Sequence, residues 1–372
     1  IWRQVVKKFY DPKIHGIDWK MFHDEYAKFL PYINNNYDFR VLLSELLGEL
    51  NGSHTGGRFY PQRAGLGSDG DKTAFFGLLF DEKYDGAGIK ASAVIPGSPA
   101  DKTEVKIKAG DVITAINGEP VAAGENWNKR LLNLANVNTL LTIQPVSGAS
   151  YTQEIRPSAG SDESQLLYER WTKRLEKMTD SLSHGRLGYV HVQGMDEDSY
   201  RATFDKVMGK FLDKEAIIVD TRSNGGGWLH DDLNTFLSGK LYMTYAPQGE
   251  KLKGGEPLTR WSKPSIVLIS ENNYSDAFMF PFSYRQNGIG KLVGMPVPGT
   301  GTAVWWETQI DPSIIFGIPM IASMGTDGVI TENAQLEPDI KVTLPYNDFL
   351  SGKDTQLEAA VTEMLKELDD KN

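Results

Sequence analysis

The chain has 372 residues, of which 40% are hydrophobic and 24% charged, and its net charge at neutral pH is −10. This length exceeds one typical core, so we expect two or three domains. The acidic balance without a basic run argues against nucleic-acid and anionic-membrane surfaces, and the absence of cysteine excludes disulfides, thiol nucleophiles and Cys-based metal sites. No apolar stretch is long enough to span a membrane.

Residues 1–64 predict a small helical bundle. The opening stretch places Trp2 and Phe9 on one helical face, because they lie seven positions apart. A later helix is predicted to begin at Asp38, a good N-cap, and its leucines face inward. A polar, glycine-rich turn with His54 follows that helix. The bundle is therefore expected to present one histidine at its tip.

The sequence pattern of residues 65–158 is typical of a small β domain. Short strands alternate with Gly, Asp and Pro turns, and one helix is predicted near residues 125–135. A strand closed by the hairpin turn Asn117-Gly118 belongs to the stretch AGDVITAINGEPV, which follows a GSPA turn. The two stretches together resemble a PDZ domain. PDZ domains add a peptide as an extra strand to an exposed sheet edge, although an inserted module need not keep an open groove.

Residues 159–372 alternate buried strands with amphipathic helices. A helix predicted over 199–212 leads into the β-branched strand 216–220, so the sheet is expected to be largely parallel. The glycines at 225–227 follow that strand, and another buried strand is predicted over 265–270. Ligands of parallel α/β sheets bind beyond the carboxyl ends of the strands. The glycine turn and the bend after the second strand are therefore the candidate site.

The bend after the second strand presents Ser275 where a helix begins. A serine in this position is either a helix N-cap or a nucleophile, and the second role needs a base and an orienting group. His54 is the candidate base, because it lies in a glycine-rich turn and outside any periodic pattern. Each of the other histidines is interpreted as structural or solvated.

Two further polar stretches have structural interpretations. Asp220 and Arg222 are expected to pair and to fix the glycine turn, rather than to take part in chemistry. The run His230-Asp231-Asp232 comes nearest to a metal-ligand pattern, but it is interpreted as a solvated helix face. No metal and no other cofactor is expected.

The motifs LNGSHTGG, IIVDTRSNGGG, NNYSDAF and GVITENAQLEPDI are spread along the whole chain, on both sides of the PDZ-like stretch. In this combination the chain resembles the tricorn-like serine peptidases of the C-terminal processing peptidase family, in the half that carries catalysis. The resemblance implies a multidomain α+β and α/β fold. Its expected parts are an N-terminal helical bundle (1–64), a PDZ-like β domain (65–158) and a crotonase/ClpP-like α/β core (159–372).

The resemblance also implies roles for particular residues. The expected catalytic set is Ser275 as nucleophile, His54 as general base, Glu332 as acidic partner and Ser53 as fourth member, with the backbone amides of Gly227 and Asp276 as oxyanion hole. Gly225, Gly226 and Tyr245 are the expected substrate-binding residues. Two structural alternatives stay open, since Glu332 lies near other acidic residues and fits a surface position, and Ser53 fits the cap of a turn.

The sequence also departs from this family. The β-propellers that precede the catalytic half of tricorn are absent, which leaves carboxyl-end anchoring of substrates and large assemblies unsupported. Tricorn places an acid after the helix that follows the glycine turn, whereas residues 241–245 contain none. A preference for basic side chains therefore does not carry over, and an apolar or aromatic-lined pocket is the expectation.

We expect a serine endopeptidase that hydrolyses short or unfolded peptides through an acyl-enzyme. The alternatives are a catalytically silent PDZ-type peptide-binding scaffold and acyl-thioester chemistry on a crotonase-type core, for which no coenzyme feature is found. Expected partners are peptides or unfolded proteins, not nucleic acid or a membrane span, and homo-oligomer formation stays open. The chain opens on Ile1 and has no signal peptide, so a mature or excised fragment is expected. An extracytoplasmic location, periplasmic or secreted, is favoured over a cytoplasmic one.

Overall fold

A computed structural model describes residues 1–61, 72–245, 248 and 253–370. The helices are α1 (Trp2–Lys8), α2 (Trp19–Ala27), α3 (Asn36–Gly48), α4 (Ser161–Leu182), α5 (Glu197–Asp205), α6 (His230–Leu237), α7 (Asp276–Gln286), α8 (Tyr346–Ser351) and α9 (Thr355–Asp369). The strands are β1 (Gly56–Phe59), β2 (Ala74–Phe75), β3 (Leu78–Phe80), β4 (Ile89–Val94), β5 (Val112–Ile116), β6 (Glu119–Pro120), β7 (Thr139–Gln144), β8 (Tyr151–Ile155), β9 (Ser158–Ala159), β10 (Leu187–His191), β11 (Ala216–Asp220), β12 (Met243–Tyr245), β13 (Lys253–Glu256), β14 (Ser265–Ile269), β15 (Leu292–Gly294), β16 (Thr302–Thr308), β17 (Ile314–Ala322) and β18 (Ile340–Lys341).

Contacts divide the chain into two compact units, Ile1–Gly67 together with Leu175–Asn372, and Ser68–Arg174. The first unit holds both the N-terminal helices and the strands of the predicted core. The predicted boundary between residues 64 and 65 lies outside the described residues. The division into 1–64, 65–158 and 159–372 stays a prediction.

A five-stranded parallel sheet forms the centre of the first unit, in the order β10-β11-β14-β15-β18. Every residue of β11 and of β14 is buried, as the unbroken Ile/Val/Leu runs predict for strands covered on both faces. Side chains of α5, α6 and α7 pack against them in one apolar cluster. Since all the strands are parallel, the turns after β11 and β14 emerge at the same edge of the sheet.

The N-terminal helices pack on a second sheet of this unit, in the order β1-β17-β16. Phe9, Trp19 and Leu47 share an apolar cluster with Phe316 and Ile318 of β17. The turn that carries His54 lies between α3 and β1, so the helices and this sheet both hold it. The predicted N-cap Asp38 was wrong, because Asn35 caps α3 and its side chain accepts a hydrogen bond from the Asp38 amide.

The second unit contains the sheet β3-β4-β5-β7-β8. The AGDVITAINGEPV stretch contains β5 and β6, and the GSPA stretch lies in the turn after β4. The predicted hairpin turn is present: Asn117 and Gly118 both have positive φ and join β5 to β6. The predicted helix near residues 125–135 was wrong. Only a short 3₁₀ turn forms there, at Trp127–Leu131. Trp127 and Leu131 nevertheless pack against the core of this unit, which satisfies the same apolar spacing.

The predicted helix at 199–212 begins earlier, at Glu197, where the Asp196 side chain caps it. Its last turn, Lys206–Lys210, is π-helical. Val207 and Phe211 still face the core as their spacing predicts. Within the described residues, no helix has the length and apolarity needed to cross a membrane.

Candidate active site

Ser275 and His54, which are 221 positions apart, meet at the edge of the parallel sheet. His54 Nε2 lies 2.7 Å from Ser275 Oγ. Ser275 has φ 57° and ψ −123°, a strained conformation that projects its side chain out of the turn between β14 and α7. Its side chain caps no helix amide, so the interpretation of Ser275 as an N-cap by side chain is wrong.

The hydrogen bonds continue from His54 to a buried carboxylate. His54 Nδ1 lies 2.8 Å from Ser53 Oγ, and the Ser53 hydroxyl donates to Glu332 Oε2 at 2.9 Å. The Ser53 amide donates to the other oxygen of Glu332. Only 7% of the Glu332 surface is exposed, so the surface interpretation of this residue is wrong. Four side chains from three distant segments therefore form one continuous relay.

Burial determines the electrostatics of this relay. Burial, with a smaller contribution from nearby Arg58, lowers the pKa of His54 to about 4. The imidazole is therefore neutral at neutral pH, and it can accept a proton at Nε2. Burial raises the pKa of Glu332 above its ordinary value, although the hydrogen bonds from Ser53 oppose the shift. The arrangement is that of a hydroxyl beside a neutral base, with a carboxylate behind it.

The glycine turn packs directly against the Ser275 turn. A Cβ on Gly226 would lie 2.6 Å from Ser275 Cβ, and one on Gly227 would lie 2.0 Å from the Met195 carbonyl oxygen. Both glycines also have positive φ, 96° and 149°. Glycine is thus required at these positions by conformation and by space. Within the described residues, the amides of Gly227 and Asp276 have no hydrogen-bond acceptor. They are free to bind a negatively charged oxygen.

Several residues that support this arrangement were not found from the sequence. Thr302 Oγ1 lies 2.8 Å from Ser53 Oγ and 3.1 Å from His54 Nδ1. The Tyr274 hydroxyl accepts a hydrogen bond from the His54 amide. Thr300 Oγ1 likewise accepts a bond from the Ser275 amide. A threonine on a strand has no local pattern that distinguishes this use from ordinary packing.

The glycine turn is anchored at its start by a buried ion cluster. The Arg222 guanidinium pairs with Asp220 and also with Asp354, the N-cap of α9. Tyr189 donates its hydroxyl proton to Asp220. The prediction that Asp220 and Arg222 form a structural pair is confirmed, and Asp354 is a third member that the sequence did not indicate.

The interpretation of His230 as part of a solvated helix face was wrong. Its Nδ1 lies 2.5 Å from Asp276 Oδ1, and the side chain is half-buried. The hydrogen bond to Asp276 raises the pKa of His230, although burial opposes the shift. Asp231 and Asp232 are exposed, as that interpretation requires.

The predicted substrate-binding residues have different surroundings. Gly225 is exposed and has open space around its Cα. Tyr245 lies on β12, and its hydroxyl donates to Glu256 of the neighbouring strand β13. The described contacts of Tyr245 therefore do not link it to Ser275. Among the described residues, no group of His, Asp and Glu side chains is arranged to hold a metal ion.

Comparisons with known proteins match three family models to parts of the chain. The model of "Peptidase family S41" matches residues 186–342, that of "Tricorn protease C1 domain" matches 1–48, and that of "PDZ domain" matches 90–145. Tricorn protease of Thermoplasma acidophilum is 24% identical over 99% of the chain, and tricorn protease homolog 1 of Streptomyces coelicolor is 25% identical, also over 99%.

The chain spans 33% and 35% of the lengths of these two relatives. A crystal structure of the tricorn protease covers 99% of the chain with a TM-score of 0.83, at 22% identity and over 36% of its own length. This similarity shows that the mixed α/β fold is shared. The family-model matches, the relatives and the shared fold together make the chain similar to the tricorn-like members of peptidase family S41.

Proposed function

We propose that this chain is a serine endopeptidase that cleaves short or unfolded peptides through an acyl-enzyme. The observation that carries the proposal is the continuous relay from Ser275 through His54 and Ser53 to Glu332. A neutral imidazole within hydrogen-bond distance of a serine hydroxyl is the arrangement that makes serine nucleophilic.

In the proposed reaction, Ser275 Oγ attacks the peptide carbonyl carbon while its proton passes to His54 Nε2. The carbonyl oxygen becomes an oxyanion, which the amides of Gly227 and Asp276 bind. The C–N bond then breaks, and His54 returns the proton to the leaving amine. A water molecule then attacks the acyl-enzyme ester in the same way, which releases the carboxylic acid product and restores the Ser275 hydroxyl. Glu332 stabilises the transient imidazolium through the Ser53 hydroxyl.

We further propose a crotonase/ClpP-like type for the α/β core. The parallel strand order β10-β11-β14-β15-β18 and the two amides without acceptors support this. Acyl-thioester chemistry on such a core is less well supported, because the sequence has no feature of a coenzyme pocket.

The silent peptide-binding scaffold is the weaker alternative, since a scaffold has no need for an intact relay. The second unit nevertheless supports peptide docking as an accessory property. Its edge strand β3 borders a cavity of about 750 Å³ lined by Phe76, Leu79 and Trp127, among others. An extended peptide can add to such an edge as a further strand.

The decisive experiment combines a peptidyl phosphonate with a peptide library. We expect the phosphonate to label Ser275 once per chain, and mass spectrometry of the digested library to show internal cleavage sites. Labelling should be absent in His54→Ala, because the nucleophile then lacks its base. Saturable peptide binding without labelling or cleavage would support the scaffold instead.

The pH profile of kcat/KM follows from the two pKa shifts. The active form has His54 neutral and Glu332 ionised, so kcat/KM should stay level just below neutral pH and fall in the acid range. Glu332 gains its proton first because its pKa is raised, and His54 follows at about 4. Glu332→Gln removes the first step, so its acid limb should move to lower pH while its plateau falls. An acid limb centred near pH 6.5, the ordinary pKa of histidine, would contradict this assignment.

A further inference from the structure

The side chain of Asp276 connects the two turns at the candidate site. Its Oδ2 accepts hydrogen bonds from the amides of Leu229 at 2.5 Å and His230 at 3.0 Å. Its Oδ1 meets His230 Nδ1 at 2.5 Å. These two amides belong to the first turn of α6, which has no capping side chain of its own. Asp276 therefore caps α6 from the start of α7.

This connection has a consequence for the two amides that lack an acceptor. Asp276 supplies one amide through its own backbone, and its carboxylate holds the segment that begins two residues after Gly227. We call the bonds from Asp276 to Leu229 and His230 the latch. Because the latch joins the two amide donors, it limits how far they can move apart.

Two further hydrogen bonds, which are independent of the latch, hold the glycine turn. The Trp228 amide donates to the Met195 carbonyl at 2.7 Å, and the Gly226 amide donates to Asn224 Oδ1 at 2.8 Å. Loosening the latch should therefore change the spacing of the two donors without unfolding the turn. A positioning role can thus be separated from a structural one.

Resting on the proposed function, we infer that His230 is a positioning residue for the oxyanion hole, which acts through the carboxylate of Asp276. Protonated His230 makes a charge-assisted hydrogen bond with Asp276, whereas the neutral ring with hydrogen on Nδ1 donates more weakly. The charged groups that face it are Asp276 from α7 and Asp231 and Asp232 from its own helix. The Trp228 ring also packs against it, with the ring centroids 5.6 Å apart and the planes at 82°.

The sign of the pH effect follows from the ion pair. Asp276 raises the pKa of His230, so the charged latch is present below that raised value and is lost as the pH rises through it. Peptide hydrolysis should therefore decline on the alkaline side when His230 loses its proton. Together with the acid limb of the relay, this gives a bell-shaped profile of kcat.

The test compares His230→Leu and His230→Asn with the wild type on an internally quenched peptide that the wild type cleaves. Leucine removes the donor and should lower kcat roughly 10- to 100-fold, less than the loss of a whole oxyanion donor, with KM changed less than about threefold. Asparagine keeps a neutral N–H close to the position of Nδ1. It should retain kcat within about fivefold and lose the alkaline decline.

Asp231→Asn is the matched control, because it changes an exposed charge on the same turn without touching the latch. Its kcat should stay within about twofold of the wild type. A peptide boronic acid adds an independent readout, since its tetrahedral adduct carries an anionic oxygen. The inhibition constant of the boronic acid should rise in His230→Leu by about the factor by which kcat falls. The affinity for the cleaved product peptide should stay constant.

The outcomes separate the two proposals. A wild type that neither cleaves peptide nor reacts with the phosphonate overturns the peptidase, and this inference with it. An active wild type with unchanged kcat and boronate inhibition in His230→Leu overturns the positioning role alone. A third outcome is a loss of kcat in His230→Leu that His230→Asn does not restore, together with an equal loss of product binding or a lower Tm. This outcome assigns His230 a structural role and also overturns the positioning role.

Discussion

Ser275→Ala should abolish peptide hydrolysis and leave the fold intact. We expect kcat to fall roughly 10⁴- to 10⁶-fold, because loss of the nucleophile disables the whole relay while the oxyanion site and substrate binding persist. The Ser275 hydroxyl bonds to His54, and the backbone amide keeps its bond to Thr300 in the variant. Alanine has the same Cβ as serine, so the strained backbone of this turn is not further penalised.

The measurement is turnover of an internally quenched peptide together with urea unfolding of both proteins. The unfolding free energy should agree within about 1 kcal/mol, since the variant loses one hydrogen bond at most. Ser351→Ala on the exposed helix α8 is the matched control and should keep full activity. Turnover by Ser275→Ala at the wild-type rate would refute the role of Ser275 and with it the peptidase mechanism.

Arg222→Leu should destabilise the first unit by about 3–5 kcal/mol at neutral pH. The Arg222 guanidinium is buried and bonds to Asp220 and Asp354, both of which are themselves buried. Leucine fills part of the space but leaves two carboxylates without a cation in a dry environment. Removing one member of a buried ion pair is costly because the charge of the other member stays buried, and here two carboxylates lose their cation.

The destabilisation should shrink in acid, and the sign follows from Asp220. Burial disfavours its charge, but Arg222 holds the pKa of Asp220 below its ordinary value in the wild type. The wild type therefore loses this stabilisation as the pH falls. In Arg222→Leu the carboxylates lack the cation, so protonation relieves their burial, and lowering the pH reduces the difference between the two proteins.

Urea unfolding at neutral and acid pH measures both effects. Arg186→Leu is the control, since Arg186 pairs with Glu215 and Asp369 near the surface and its loss should cost less than about 1 kcal/mol. Equal stability losses in Arg222→Leu and Arg186→Leu would contradict the view that the buried cluster fixes the start of the glycine turn.

The expected role of Tyr245 stays a prediction. The hydroxyls of Tyr245, on β12, and of Tyr242, just before β12, both donate to Glu256 of the next strand. Residues 241–245 themselves contain no acid, since Glu256 lies outside that stretch. The library experiment bears on this as well, since the sequence predicts an apolar or aromatic-lined pocket and the cleavage sites report which side chains the pocket accepts.

By itself, the sequence determined the parts whose causes are local. Unbroken apolar runs predicted the buried strands β11 and β14, because only strands covered on both faces tolerate such runs. The sequence also indicates the Asn117-Gly118 hairpin turn, since such a turn depends on a few adjacent residues. The glycines at 226 and 227 were recognised for the same reason.

Only the tertiary structure decided the contacts between segments distant in the chain. It brought Thr302 to the relay, Asp354 to Arg222 and Asp276 to His230, over separations of 248, 132 and 46 positions. A hydroxyl or carboxylate has the same local pattern whether it faces water or a partner far along the chain. Its role is fixed by the sheet order and by helix packing, which bring its partner within about 3 Å.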